Sequence, residues 1–292
     1  MAIHLIGKTV AKTLMEKIIS DVEALKNSGI EPQLAVYMTD HDPASSVYAK
    51  MIVKNCKKAG VKPLHIVKSQ DIGENEFLET LIELNNDDSV HGIIVMMPLP
   101  KHISESKVSE LIDPNKDIDG INPINAGKTI LGLNSFVPST AQACIDILKG
   151  YDIKTSGKNV VVLGRSDIVG KPVASLLMQK GEFADATVTV CHSRSKNLQE
   201  ITKKADILIA AIGKAEMIDE SYCSEDQIIV DVGMNEKIDS EGNTGLCGDV
   251  KFSSVEKIVE MITPVPGGVS PLTHTALLNN LLKAIKIKKS IS

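Results

Sequence analysis

Short apolar runs rich in β-branched residues recur along this chain, separated by amphipathic segments, and that rhythm restricts it to an α/β fold. Val10, Leu14, Ile18, Val22 and Leu25 recur at helical spacing and predict a helix over 9–27. QLAVYMT (33–39) predicts a strand, 43–59 a helix, LHIVKS (64–69) a strand and ENEFLETLIELNN (74–86) a helix. GIIVMM (92–97) follows as a strand and 104–112 as a helix. GIIVMM lacks polar alternation, and such runs mark strands buried on both faces, as in a parallel sheet. Residues 113–137 are dense in Asp, Asn, Pro and Gly and read as a long loop that crosses between domains.

The alternation restarts after a helix near 140–150. NVVVLG (159–164), ATVTVC (186–191), DILIAAIG (206–213) and IIVDVG (228–233) read as strands with helices between them. TPVPGGVSPLT (263–273) reads as a rigid loop, and the closing helix over 274–287 as a return to the first domain. A length of 292 residues suits two domains. The expected architecture is two α/β domains with a cleft between them. One comprises 1–138 with the C-terminal helix 274–292, and the other is Rossmann-like over 139–273.

A net charge of −5 gives no reason to expect nucleic acid or an anionic membrane as a partner, so any anionic ligand must be met by local groups. Cys56, Cys144, Cys191, Cys223 and Cys247 are scattered and never spaced as CxxC, which suits a reducing compartment and buried apolar roles. His4, His41, His65, His91, His102, His192 and His274 show no ligand spacing, so no metal is expected and no histidine is assigned chemistry. No apolar run approaches the ~20 residues of a membrane helix. The N-terminus has no signal-peptide core, and the expected location is the cytoplasm.

NVVVLGRSDIVGKPVASLL sets a glycine-bearing turn between a buried strand and a helix. Gly164 suits the tight turn and Gly170 the close approach of strand and helix, with backbone N–H groups left to face a pyrophosphate. The spacing is GxSxxxG, with Ser166 where the usual dinucleotide fingerprint has its second glycine. At the end of the next strand an NAD site wants a carboxylate for the ribose hydroxyls. CHSRSKN offers instead Ser193 and Arg194, which with Arg165 suit a 2′-phosphate and hence NADP.

Several segments together resemble the methylenetetrahydrofolate dehydrogenase/cyclohydrolase family, the FolD-type enzymes. They are DPAS (42–45) followed by Tyr48, MPLP (97–100), DPNKDIDG (113–120), GRSDIVGKP (164–172), DVGMN (231–235), GDV (248–250) and TPVPGGVSPLT (263–273), in family order across nearly the whole chain. The resemblance implies a homodimer that binds folate and NADP. It implies oxidation of 5,10-methylenetetrahydrofolate to the methenyl form within one-carbon metabolism, which most members follow by hydrolysis to 10-formyltetrahydrofolate. It makes Tyr48 the ring that stacks on substrate and Asp119 the carboxylate that meets the pterin, with Pro264, Gly267 and Gly268 shaping the pocket wall. A carboxylate suits the guanidine-like donor pair of a pterin edge. The implied cofactor contacts are Gly164, Arg165, Ser166, Ile168, Gly170, Ser193, Arg194 and Met234. Ser270 departs from the family's glycine and Ala141 from its proline.

Two further departures bear on chemistry. The family's hydrolytic lysine lies four residues after the stacking tyrosine, where this chain has Ile52. The family's glutamine partner of that lysine is replaced by Met96. At about 100° per residue, Lys50 and Lys54 lie roughly 160° and 120° from Tyr48, and Lys57 is nearly opposite. Lys58 is almost three turns on, so the four lysines read as a solvated face. The expectation is a dehydrogenase with weak or absent cyclohydrolase activity. The alternatives are the fully bifunctional enzyme and a non-catalytic NADP-binding module.

Overall fold

The computed structural model describes residues 2–238 and 244–291. In chain order the elements are β1 (Ile3–His4), α1 (Gly7–Asn27), β2 (Gln33–Thr39), α2 (Pro43–Lys58), β3 (Lys62–Lys68), α3 (Glu74–Asn86) and β4 (Gly92–Val95). Next come α4 (Glu105–Leu111), α5 (Pro123–Ile130), α6 (Ser139–Gly150), β5 (Asn159–Leu163), α7 (Gly170–Leu177), β6 (Thr187–Cys191), α8 (Leu198–Lys203) and β7 (Ile207–Ala210). The chain closes with β8 (Ile228–Asp231), β9 (Asn235–Ile238), β10 (Thr244–Cys247), α9 (Phe252–Val255), β11 (Met261–Ile262) and α10 (Ser270–Ile291). It divides into two compact units, residues 13–138 with 274–292, and residues 1–12 with 139–273. No described helix is long and apolar enough to cross a membrane.

In the first of these units three parallel strands run in the order β3-β2-β4. Every residue of β2 and β4 is buried, which explains their unbroken apolar runs. Alternate side chains serve opposite faces. Leu34, Val36, Met38 and Ile94 pack with residues of α1, α2 and α10, whereas Ala35, Tyr37, Ile93 and Val95 pack with Phe77, Leu81 and Val108 of α3 and α4. Met96 follows β4, and its N–H still donates to Tyr37 O at 2.9 Å, so its side chain falls on the same face as Ile94. Leu277, Leu278, Leu281, Leu282 and Ile285 of α10 are buried in that cluster, each contributing about 1.5–3 kcal/mol.

The second unit holds six parallel strands in the order β1-β11-β8-β7-β5-β6. An antiparallel hairpin of β9 and β10 is separate from that sheet. β7 is buried throughout, while β6 at the edge is largely exposed.

Four expectations need correction. Residues 1–138 do not form one domain segment, because Ile3 and His4 pair with Met261 and Ile262 in the six-stranded sheet. The 113–137 stretch contains α5, whose start is set by Asn122, with Oδ1 accepting from Ile124 N at 2.8 Å, and by Pro123 in the first turn. The strand expected over 92–97 ends at Val95, before the Met97–Pro98 peptide. The final helix starts at Ser270, inside the segment read as a loop.

Candidate functional site

Helix α2 is fixed at its start by Asp42. Its Oδ2 accepts from Ser45 N at 2.7 Å and lies 2.6 Å from Ser45 Oγ, which also lies 2.9 Å from Met97 O. The DPAS and MPLP segments are thereby tied together, so the first turns of α2 sit against the end of β4. These bonds from Ser45 hold the Asp42 carboxyl below the usual carboxylate range.

One turn into α2, Tyr48 is half-buried and packs on the cluster that contains Ala49, Ile52, Met96 and Ile118. Ile52 is 3% exposed and Met96 5% exposed. Lys50, Lys54, Lys57 and Lys58 are all exposed. On α2 and at the end of β4 the groups clustered with the aromatic are thus aliphatic and thioether, and the ammonium groups face solvent.

Asp119 follows Ile118 of this same cluster and is half-buried. Its backbone setting is rigid. Asn280 of α10 donates through Nδ2 to Ile118 O at 2.7 Å and to Val137 O at 2.9 Å. Gly120 has φ 64°, and a Cβ there would meet Phe136 O at 2.3 Å, so only glycine fits. Asp117 two residues earlier is wholly buried and accepts from Ile121 N, Asn122 N and Asn125 Nδ2. It is a structural carboxylate, distinct from Asp119.

Sequence reasoning missed one member of this group. His274, in the second turn of α10, stacks on Tyr48 with ring centroids 5.2 Å apart and planes 30° apart. Burial pushes its imidazole down to about 4. Its place directly after TPVPGGVSPLT was the available signal, but histidine spacing alone carries no trace of a partner so distant in the chain.

In the other unit, the turn after β5 needs Gly164, whose φ is 138° and whose added Cβ would meet Ala211 O at 2.0 Å. A Cβ at Gly170 would meet Gly164 O at 2.3 Å, which gives this glycine its expected packing role. Ser166 Oγ accepts from Val169 N at 3.2 Å, occupying one of the N–H groups ahead of α7. Leu163 pairs with Cys191, so the turns after β5 and β6 leave adjacent strand ends on the same edge. Arg165, Ser166, Ser193 and Arg194 follow those two strand ends and are all exposed, and neither arginine makes an ion pair among the described residues. Ile168 is also exposed on this turn. Two free guanidinium groups beside a turn of close backbone approach fit a phosphorylated dinucleotide.

Met234, Pro264, Gly267 and Gly268 line one pocket with Asp231 and Ser270. Gly268 is held by its N–H to Pro264 O at 2.7 Å, and a Cβ there would meet Thr263 Cβ at 2.6 Å. Ser270 is the first residue of α10, and Ala141 is buried in α6. Two buried carboxylates, Asp231 and Asp249, organise the neighbouring loops. Asp231 accepts from Gly233 N, Asp249 N and Val250 N at 2.9–3.0 Å. Asp249 accepts from Ile212 N, Gly213 N, Lys214 N and Asn235 Nδ2 at 2.6–3.0 Å. Among the described residues no three His, Cys, Asp or Glu side chains converge as a metal-binding group.

Residues 5–119 match the family model for the tetrahydrofolate dehydrogenase/cyclohydrolase catalytic domain, and residues 138–289 match that for its NAD(P)-binding domain. The chain is 46% identical over 286 residues to the bifunctional protein FolD of Oceanobacillus iheyensis, covering 98% of each. Its structure is similar to the bifunctional FolD enzyme of Campylobacter jejuni, with TM-score 0.92 and 40% identity over 99% of this chain and 100% of that one. It is similar also to the Trypanosoma brucei methylenetetrahydrofolate dehydrogenase-cyclohydrolase solved with NADP and an inhibitor, with TM-score 0.92 and 32% identity over 98% of each. With both of its units matched in order, the chain belongs to the tetrahydrofolate dehydrogenase/cyclohydrolase family.

Proposed function

We propose that this chain oxidises 5,10-methylenetetrahydrofolate to 5,10-methenyltetrahydrofolate with NADP, and hydrolyses that product slowly or not at all. Family membership supports the first half. The observation that carries the second is the burial of Ile52 and Met96 in one apolar cluster under Tyr48, with all four α2 lysines in solvent.

On this reading Tyr48 stacks on the pterin and Asp119 accepts hydrogen bonds from its guanidine-like edge. Pro264, Gly267 and Gly268 shape the pocket wall. Gly164 and Gly170 let backbone approach a pyrophosphate, while Arg165, Ser193 and Arg194 hold a 2′-phosphate, with Ser166, Ile168 and Met234 adding contacts. NADP, when bound, supplies the hydride acceptor. The cation left on the folate is delocalised over two nitrogens, so no side chain must exchange a proton, and orientation carries this step. Hydrolysis differs: water must lose a proton and a ring nitrogen must gain one. A placed acid–base group is worth about 10²–10⁴ in such a step. Neither Ile52 nor Met96 can supply it.

A second reading is the bifunctional enzyme, and it is favoured by the relatives from Oceanobacillus iheyensis and Campylobacter jejuni, both described as bifunctional. The core reaction is tested by supplying purified protein with methylenetetrahydrofolate and following NADP reduction at the absorbance of the reduced cofactor. Absence of reduction would refute an enzymatic reading and leave a nucleotide-binding module. In the same assay Arg165→Ala with Arg194→Ala raises the KM for NADP at least about tenfold and leaves that for NAD unchanged, because each lost bond is to a charged group. Equal losses for both nucleotides would show that the arginines do not read the 2′-phosphate.

A further inference from the structure

Further along α10 lies a concentration of positive charge that the proposed reaction does not use. A cavity of about 400 Å³ is lined by Lys17 and Asp21 of α1, Asn134 from the loop after α5, and Asn279, Lys283 and Lys286 of α10. All six belong to one compact unit. A volume of that size falls within the roughly 300–1,000 Å³ typical of small-molecule sites. Three ammonium groups meet one carboxylate in this lining, a local excess of positive charge on a chain whose net charge is −5. Asp21 is engaged by Lys286 at 3.6 Å, and Lys17 makes no ion pair among the described residues. Lys283 is half-buried, and burial alone pushes its ammonium below the usual lysine range, with no carboxylate near enough to offset the cost. Its Nζ donates to Ser135 O and lies 5.7 Å from the centre of the Phe136 ring. An ammonium carries three N–H donors, so two remain beyond the bond to Ser135. A side chain needed only to tie down one carbonyl could be a neutral donor, with no charge to desolvate. The side-chain amides of Asn134 and Asn279 make no hydrogen bond among the described residues and add further donors to the lining.

We propose that this cavity between α1, α10 and the loop after α5 is a binding site for a small multivalent anion carrying phosphate or carboxylate groups, held by Lys283 and Lys17 with the amides of Asn134 and Asn279. Two ammonium groups without a carboxylate partner call for a ligand with at least two negative charges. Lys283, anchored by Ser135 and Phe136, presents a preorganised and partly desolvated cation, which attracts an anion more strongly than an ammonium free in water does. The site is distinct from the arginines that follow β5 and β6, which belong to the other unit.

The test titrates the full chain with pyrophosphate and with citrate, followed by calorimetry at low ionic strength, where the charges are least screened. Four versions are compared. They are the parent, Lys283→Met, Lys17→Met, and Arg165→Ala with Arg194→Ala. Methionine at 283 keeps an apolar stem beside Phe136 and removes the charge. The parent is expected to bind at least one probe. Lys283→Met weakens that binding at least about tenfold, the worth of a hydrogen bond to a charged group, and Lys17→Met weakens it about 3- to 10-fold. The arginine pair leaves it within twofold. A parent that binds neither probe overturns the proposal. Equal affinities in the parent and Lys283→Met do the same, since the amine would then be only a clamp on Ser135. So does a loss confined to the arginine pair, which would put the anion in the nucleotide-binding unit. If Lys283→Met fails to fold, an affinity in Lys17→Met equal to the parent's overturns it instead. No turnover is measured, so the outcome is independent of the dehydrogenase reading.

Discussion

Ile52→Lys combined with Met96→Gln raises the rate of methenyltetrahydrofolate hydrolysis by about 10²–10⁴ over the parent chain. Position 52 lies one turn beyond Tyr48 on the buried side of α2, and Met96 reaches the same cluster from the end of β4. An amine at 52 therefore enters the space beside the stacking ring. Burial disfavours its charged form and lowers its pKa toward the range in which a lysine can exchange protons near neutrality. Glutamine at 96 supplies a hydrogen-bond partner, without which the new amine would be a buried orphan. The single variants are expected to gain far less than the pair, since each introduces one polar group without its complement. Each substitution costs stability, because an aliphatic side chain 3% exposed at 52 and a thioether 5% exposed at 96 are replaced by groups that must be desolvated. Hydrolysis is followed by decay of methenyltetrahydrofolate above the buffer rate, with NADP reduction as the internal control for folding.

Asp231→Ala destabilises the nucleotide-binding unit by at least about 3 kcal/mol, a midpoint fall of roughly 6–12 °C. The carboxylate accepts from three backbone N–H groups that close the loops around Met234 and Gly248, and alanine leaves all three buried donors without an acceptor. The fit around the carboxylate is close, since a Cβ on Gly248 would lie 1.8 Å from Asp231 Oδ2. The group also gives a pH signature. Burial pushes Asp231 up to about 7 from an ordinary 3.8, against the lowering effect of its three N–H donors. A raised folded-state value means that the neutral form is favoured by folding. This contribution to stability is full below about 4 and is lost as pH rises toward 7. Thermal unfolding followed from pH 4 to 8 should show that decline in the parent and a flatter profile in Asp231→Ala.

The regular elements were legible because their periods are set by burial. β2 and α3 fall on the residues that their patterns predict, since one is buried throughout and the other carries Phe77, Leu81 and Leu84 on a single face. α5 was hidden by composition: Asn, Pro and Gly suggested a loop, although Asn122 and Pro123 are also a helix start. β1 was illegible because two exposed residues have no pattern, and only pairing with Met261 and Ile262 makes them a strand. At the site, helix rotation was enough to set Ile52 apart from the exposed lysines, because all of them share one element with Tyr48. His274 could not be found this way, because its relation to Tyr48 is created by α10 packing beside α2, and no local period encodes that contact.

The central claim is that the Tyr48 face supports hydride transfer but lacks the lysine and glutamine of the hydrolytic step, whose places are held by Ile52 and Met96. The most direct test measures both activities in one preparation of the unaltered chain: NADP reduction with methylenetetrahydrofolate, and methenyltetrahydrofolate decay above the buffer rate. The expected result is ready reduction with hydrolysis at least about a hundredfold slower, matching the loss of a placed acid–base group. Hydrolysis as fast as reduction would contradict the account.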